Sequence, residues 1–81
     1  MQLAHAGRKA SSKVPWEGGQ LVPQSAGRWM PVAPSALPHQ VGEPAPVALD
    51  SAGMQRIRAA FVASAMRAMR LGLDGIEIHA A

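Results

Sequence analysis

The last third of the chain carries its clearest alternation of apolar and polar positions. Apolar or small residues recur at Met54, Ile57, Phe61, Ala65, Ala68 and Leu71, three or four apart, so they line one stripe of a helix with 3.6 residues per turn. Arg56, Arg67 and Arg70 fall off that stripe. Asp50 or Ser51 offers an oxygen to the first free backbone N–H groups, while Arg67 and Arg70 stand near the negative end of the helix dipole. The pattern predicts a helix over 50–71. Gly72 then supplies a left-handed stop, Asp74-Gly75 a turn, and Ile76-Glu77-Ile78-His79 alternates with period two. A strand is expected over 75–80, with Glu77 and His79 on one face and both isoleucines on the other.

Met1 to Ala6 reads as a second strand, with Gln2, Ala4 and Ala6 on one face and Leu3 and His5 on the other. It has no cap or polar lead-in, so the chain is expected to start inside an architectural element. Between Val14 and Val47 there is no sustained periodicity, and the stretch holds all seven prolines together with Gly18, Gly19, Gly27 and Gly42. Proline removes a backbone donor and holds φ fixed, so residues 7–49 are expected to be loop, without a regular helix or central strand. Trp16, Trp29, Val32, Leu37 and Val41 are nevertheless poor linker residues, because burying them needs a partner surface. The expectation is an ordered excursion over the end of a sheet or barrel, with Trp16-Glu17-Gly18-Gly19 forming a tight turn and the indole packed behind it.

A helix returning through a short loop into a strand is the second half of a βαβ unit, in which the isoleucines are expected to pack under the helix. The two strands are then parallel. In an open α/β sheet the opposite face is covered by further helices and is apolar, whereas in a closed parallel barrel it looks inward toward a ligand. The polar Glu77 and His79 favour the barrel. The expected fold is therefore α/β, with a parallel barrel favoured, made over 1–81 of strand, long ordered loop, helix and strand. The polar strand ends, Gln2 to Lys9 and Glu77 to His79, share the edge where α/β folds bind ligands.

Composition narrows this further. A domain near 81 residues buries only about 60% of the surface its unfolded chain exposes, so it needs a dense core or a staple. There are no cysteines, and three scattered histidines with few carboxylates show no metal-ligand spacing, so no metal is expected. The apolar fraction of 48% is carried largely by alanine, leaving Trp16, Trp29 and Phe61 as the only aromatics able to anchor a core. The net charge is +3 and the pI near 10.7, which raises the alternative of a small basic nucleic-acid-binding protein. Arg8, Lys9 and Lys13 cluster near the start, but Arg56, Arg58, Arg67 and Arg70 are spread around the helix, and no aromatic is interleaved as a stacking platform requires. Nucleic acid is therefore not the expected partner. No apolar run is long enough to cross a bilayer, and the N-terminus lacks the layout of a signal peptide, so no membrane partner is expected and the expected location is cytoplasmic.

Chemistry-bearing residues are few. Gln2 offers two donors and an acceptor, which suits a ligand edge alternating imide-like N–H and C=O groups, although a surface or capping glutamine looks the same in sequence. His79 at a strand end is placed to donate to a substrate oxygen or act as an acid or base, or is an ordinary satisfied histidine. Lys9 contacts an anion or is simply solvated. His5 is expected to face away from Gln2 in a structural role, and nothing marks His39. No Gly-x-Gly-x-x-Gly, phosphate loop or nucleophile elbow occurs, and the serines have no convincing base partner.

Four blocks taken together carry a family resemblance. Gln2-Leu3-Ala4-His5-Ala6-Gly7-Arg8-Lys9, Pro15-Trp16-Glu17-Gly18-Gly19, Val32-Ala33-Pro34-Ser35-Ala36-Leu37-Pro38 and Asp74-Gly75-Ile76-Glu77-Ile78-His79-Ala80-Ala81 closely resemble the old yellow enzyme family in order and spacing. The lysine after Gly-Arg and the Pro-Ser-Ala-x-Pro segment look most like the bacterial xenobiotic-reductase and NADPH dehydrogenase branch. The resemblance covers essentially the whole chain and implies that 1–81 is a partial (β/α)8 (TIM) barrel domain, the third strand through the fourth of a flavin-binding barrel. It implies FMN as cofactor, NAD(P)H as reductant, and reduction of the activated C=C bond of an α,β-unsaturated carbonyl compound. It further implies that Gln2 hydrogen-bonds the pyrimidine edge of FMN and that His79 is the first member of a His-x-x-His/Asn pair donating to the substrate carbonyl. Lys9 would border the active site.

The departures are equally specific. The second member of the pair would follow Ala81, the family's proton-donor tyrosine has no counterpart because the chain has no tyrosine, and the flavin-binding arginine and phosphate-binding strands are missing. Arg28 beside Trp29 departs from the family's Gly-Trp spacing. The implied product is a fragment of the oxidoreductase, inactive alone, with a non-functional truncated product as a further alternative.

Overall fold

A computed structural model describes residues 1–80. In chain order it contains β1 (Gln2–Leu3), 3-10 turns at Gly7–Lys9, Pro15–Glu17 and Gln24–Ala26, then β2 (Val32–Ala33), β3 (Val47–Ala48), α1 (Ser51–Arg70) and β4 (Glu77–Ile78). It is a small mixed helix and strand chain with a single α-helix among the described residues. The chain divides into two units, one comprising Met1–His5 with Asp50–Ala81, the other Ala6–Leu49.

In the first unit, α1 is held at both ends by local chemistry. Asp50 is extended, with φ −88° and ψ 179°, and its Oδ1 accepts from the Gly53 backbone N–H at 2.6 Å. One of the donors that every helix start leaves open is thus satisfied. At the other end Gly72 takes φ +74°, its N–H donates to Met69 O at 2.9 Å, and Leu73 N–H donates to Ala68 O at 3.2 Å. This pair of bonds is the Schellman closure, which needs a left-handed residue where glycine carries no Cβ penalty.

The covered side of α1 runs through buried Gly53 and Ala68 and half-buried Ile57, Phe61, Ser64 and Ala65. Met54 and Leu71, assigned to the same stripe by spacing, are exposed. A 20-residue helix is about 30 Å long, whereas a two-residue strand covers only about 7 Å, so its ends outrun the ladder.

β1 and β4 are parallel, with Gln2 opposite Glu77 and Leu3 opposite Ile78. The Glu77 N–H donates to Met1 O at 2.9 Å and the His79 N–H to Leu3 O at 2.8 Å, while Met1 N donates to Gly75 O at 2.9 Å. Regular pairing, Gln2–Leu3 against Glu77–Ile78, is shorter than the expected strands over 1–6 and 75–80. The isoleucines do not pack under the helix as expected. Ile76 is exposed and Ile78 is 66% exposed. Period-two alternation decides which face a side chain takes, and coverage of that face has to come from another layer.

The second unit is more regular than an expected loop over 7–49. β2 and β3 pair in parallel, Val32 opposite Val47 and Ala33 opposite Ala48. The Val47 N–H donates to Pro31 O at 2.9 Å and the Leu49 N–H to Ala33 O at 2.9 Å. A proline lacks a donor but keeps its carbonyl, so Pro31 can serve this ladder as an acceptor. Nearby, Ser12 bridges antiparallel to Leu21, with the Val22 N–H donating to Ser11 O at 2.9 Å and the Lys13 N–H to Gln20 O at 2.8 Å. The Pro15–Glu17 turn caps this ribbon, and Gly18 and Gly19 both take positive φ there. Trp16 is not packed behind the turn as expected. It stands at the apex and is 84% exposed, because the closing bonds to Val14 O and Pro15 O lie on the backbone beneath it.

Neither tryptophan anchors a core. Besides Pro31, Pro46 and Gly53, the buried apolar residues among those described are Ala33 and Ala68, each 1% exposed, and no large side chain is fully buried. An apolar fraction carried by alanine gives little buried area per residue. Among the described residues no helix is long and apolar enough to cross a membrane.

Candidate functional site

The β1/β4 ladder gathers most of the candidate chemistry. Partners in a parallel ladder point to the same face, and residues two apart along one strand do so as well. Gln2, opposite Glu77, therefore shares a face with Glu77 and with His79, which continues the pairing through its bond to Leu3 O. His79 lies two residues further toward the C-terminal end, roughly 7 Å along the strand. All three side chains are exposed. An amide, a carboxylate and an imidazole thus stand in a row on one side of the sheet.

Within that row one side-chain bond is made: Gln2 Nε2 donates to Glu77 Oε1 at 3.1 Å. Glu77 was visible in sequence as a polar member of the alternating strand, but its partner was not. Strand order and register supply the partner, since the two residues are far apart in the chain.

Lys9 belongs to the other unit. It closes the Gly7–Lys9 turn, is exposed, donates its N–H to Ala6 O at 3.2 Å and accepts from Ser12 Oγ at 2.7 Å through its carbonyl. The adjacent Arg8 does the anchoring: Nη1 donates to Leu37 O and Nη2 to Ser35 Oγ, each at 3.0 Å. A second clasp in this unit is Glu43, whose Oε1 accepts from the Leu21 N–H at 2.8 Å and Oε2 from the Gln40 N–H at 3.1 Å. Spacing gives no hint of either clasp, because each joins parts of the proline-rich stretch that have no periodicity. Among the described residues no group of histidines and carboxylates is assembled to hold a metal ion.

Fold and site together define a parallel βα-type chain presenting a polar strand-end face. Comparison with known proteins narrows this. The whole chain aligns with an NADH:flavin oxidoreductase of Gibberella zeae at 42% identity over 85 positions, covering 21% of that protein. It also aligns in full with an NADPH dehydrogenase of Geobacillus thermodenitrificans at 41% identity and with one of Listeria monocytogenes at 40%, covering 19% and 20% of them. No family model matches. The chain spans about a fifth of the length of these curated relatives. Over that stretch it is similar to proteins named NADH:flavin oxidoreductase and NADPH dehydrogenase.

Proposed function

We propose that this chain is the part of an FMN-dependent NAD(P)H oxidoreductase that supplies one edge of the flavin site and the first substrate donor. It would lie within a (β/α)8 barrel acting on activated C=C bonds of α,β-unsaturated carbonyl compounds. The observation that supports this most is the parallel register setting Gln2 and His79 on one open face. Full-length similarity to proteins named for flavin and nicotinamide chemistry points the same way.

The residues present fit such a group. Gln2 is exposed and, among the described residues, its side chain bonds only through Nε2 to Glu77, so the amide is open to an imide-like edge, accepting from N–H and donating to C=O. FMN, when bound, supplies the hydride transfer, and the amide holds and biases the ring. His79 donates an imidazole N–H to the substrate carbonyl oxygen, stabilising the negative charge that gathers there as the β-carbon is reduced. With no tyrosine in the chain, the proton for the α-carbon has no tyrosine source here, and the chain alone is expected to reduce no enone. The proposed partner is thus a small enone rather than nucleic acid or membrane, in a cytoplasmic setting.

The test is a graft: this chain replaces the aligned fifth of the Geobacillus thermodenitrificans NADPH dehydrogenase. The expected chimera retains bound FMN, loses most of it on Gln2→Ala, and on His79→Ala keeps NADPH-driven flavin reduction while enone-driven reoxidation slows. A folded chimera without flavin, or one whose flavin content ignores Gln2→Ala, overturns the proposal.

A further inference from the structure

Gln2 is ambiguous in a way that matters for any ligand. A glutamine amide turned over about its last torsion exchanges acceptor for donor, and the same position would then recognise the opposite pattern of groups. Something has to choose between the two. Glu77 sits directly opposite in the ladder, and the amide meets its Oε1 at 3.1 Å. An ionised carboxylate has lone pairs and no proton to give, so the atom of Gln2 that faces it must be Nε2.

We infer that Glu77 is a positioning residue that selects the orientation of the Gln2 amide, leaving Oε1 free to accept from a ligand N–H and one Nε2–H free to donate to a ligand C=O. The class of ligand selected is a neutral imide or lactam edge carrying an N–H beside a carbonyl. An edge with two adjacent acceptors would meet Oε1 lone pair to lone pair and is rejected. The negative charge of Glu77 works in the same direction, since it disfavours a deprotonated ligand edge beside it. The identity of the ligand as a flavin rests on the function proposed above, whereas the orientation of the amide does not.

Two measurements separate these. In the 15N-labelled 81-residue chain, the Gln2 Nε2H2 resonances are identified by their loss in Gln2→Ala and compared with those of Glu77→Gln and Glu77→Ala. Gln at 77 has the same size but can donate or accept, so it no longer selects one orientation. Displaced Gln2 side-chain resonances are expected in both Glu77 variants, with unchanged far-ultraviolet circular dichroism. In the graft, Glu77→Gln is expected to weaken FMN binding by about threefold or more, the scale of one modest hydrogen bond. Gln2 resonances identical in wild type and Glu77→Gln overturn the inference, as does FMN affinity unchanged by Glu77→Gln. Displaced resonances in a graft that binds no flavin at all leave Glu77 as the positioning residue and remove the flavin assignment.

Discussion

Arg8 reaches Ser35 across twenty-seven positions of sequence, its Nη2 donating to Ser35 Oγ at 3.0 Å while Nη1 donates to Leu37 O at 3.0 Å. One planar guanidinium thereby ties the first 3-10 turn to the segment that follows β2. A lysine has the charge but not the fork, so it can hold only one of these acceptors well. Arg8→Lys is expected to cost about 1 kcal/mol by denaturant unfolding. It should also raise hydrogen-exchange rates at the Val47 and Leu49 amides, which bond to the β2 segment.

Glu43 plays the acidic counterpart, accepting from two backbone donors, Leu21 N–H and Gln40 N–H. Glu43→Ala leaves both without an acceptor and is expected to destabilise this unit by about 1 to 3 kcal/mol. Glu43→Gln keeps one oxygen and should fall in between. Exchange protection at the Leu21 amide distinguishes the three, and equal protection in all of them would contradict the clasp.

The start of α1 depends on a single side-chain oxygen. Asp50→Ala removes the acceptor for the Gly53 N–H and should cost about 1 kcal/mol, seen as a lower thermal midpoint for the helical circular-dichroism signal. Asp50→Asn retains an acceptor oxygen and is expected to differ from wild type by no more than a few tenths of that.

At the far end, Gly72→Ala tests backbone conformation in isolation. A Cβ there would meet nothing within 4 Å, so no clash contributes, and the cost is that of holding an L-residue at φ +74°. About 1 kcal/mol is expected, with part of it recovered by Gly72→Asn, which tolerates the left-handed region better. An alanine variant as stable as wild type would show that the closure at Met69 O and Ala68 O is not what ends the helix.

The two ends of α1 were legible because caps are local: an acceptor before the first turn and a glycine after the last are read within a few residues of where they act. The same holds for the alternation that puts Glu77 and His79 on one face. The β2/β3 ladder was not legible, since prolines on both sides of Val32-Ala33 argue against a strand, yet the carbonyls of Pro31 and Ala33 both accept from the partner segment. Trp16 misled for the opposite reason, because a large apolar ring suggests a core whether or not the chain provides a surface to receive it.

For this protein, periodicity and local capping chemistry determined the helix, its stops and the polar face of the last strand, all of which depend on interactions between near neighbours. Tertiary structure decided the parallel register of Gln2 against Glu77, the Arg8 and Glu43 clasps, and the exposure of Ile78 and both tryptophans. Those depend on which distant segments come to lie side by side, and no local spacing encodes a partner tens of residues away.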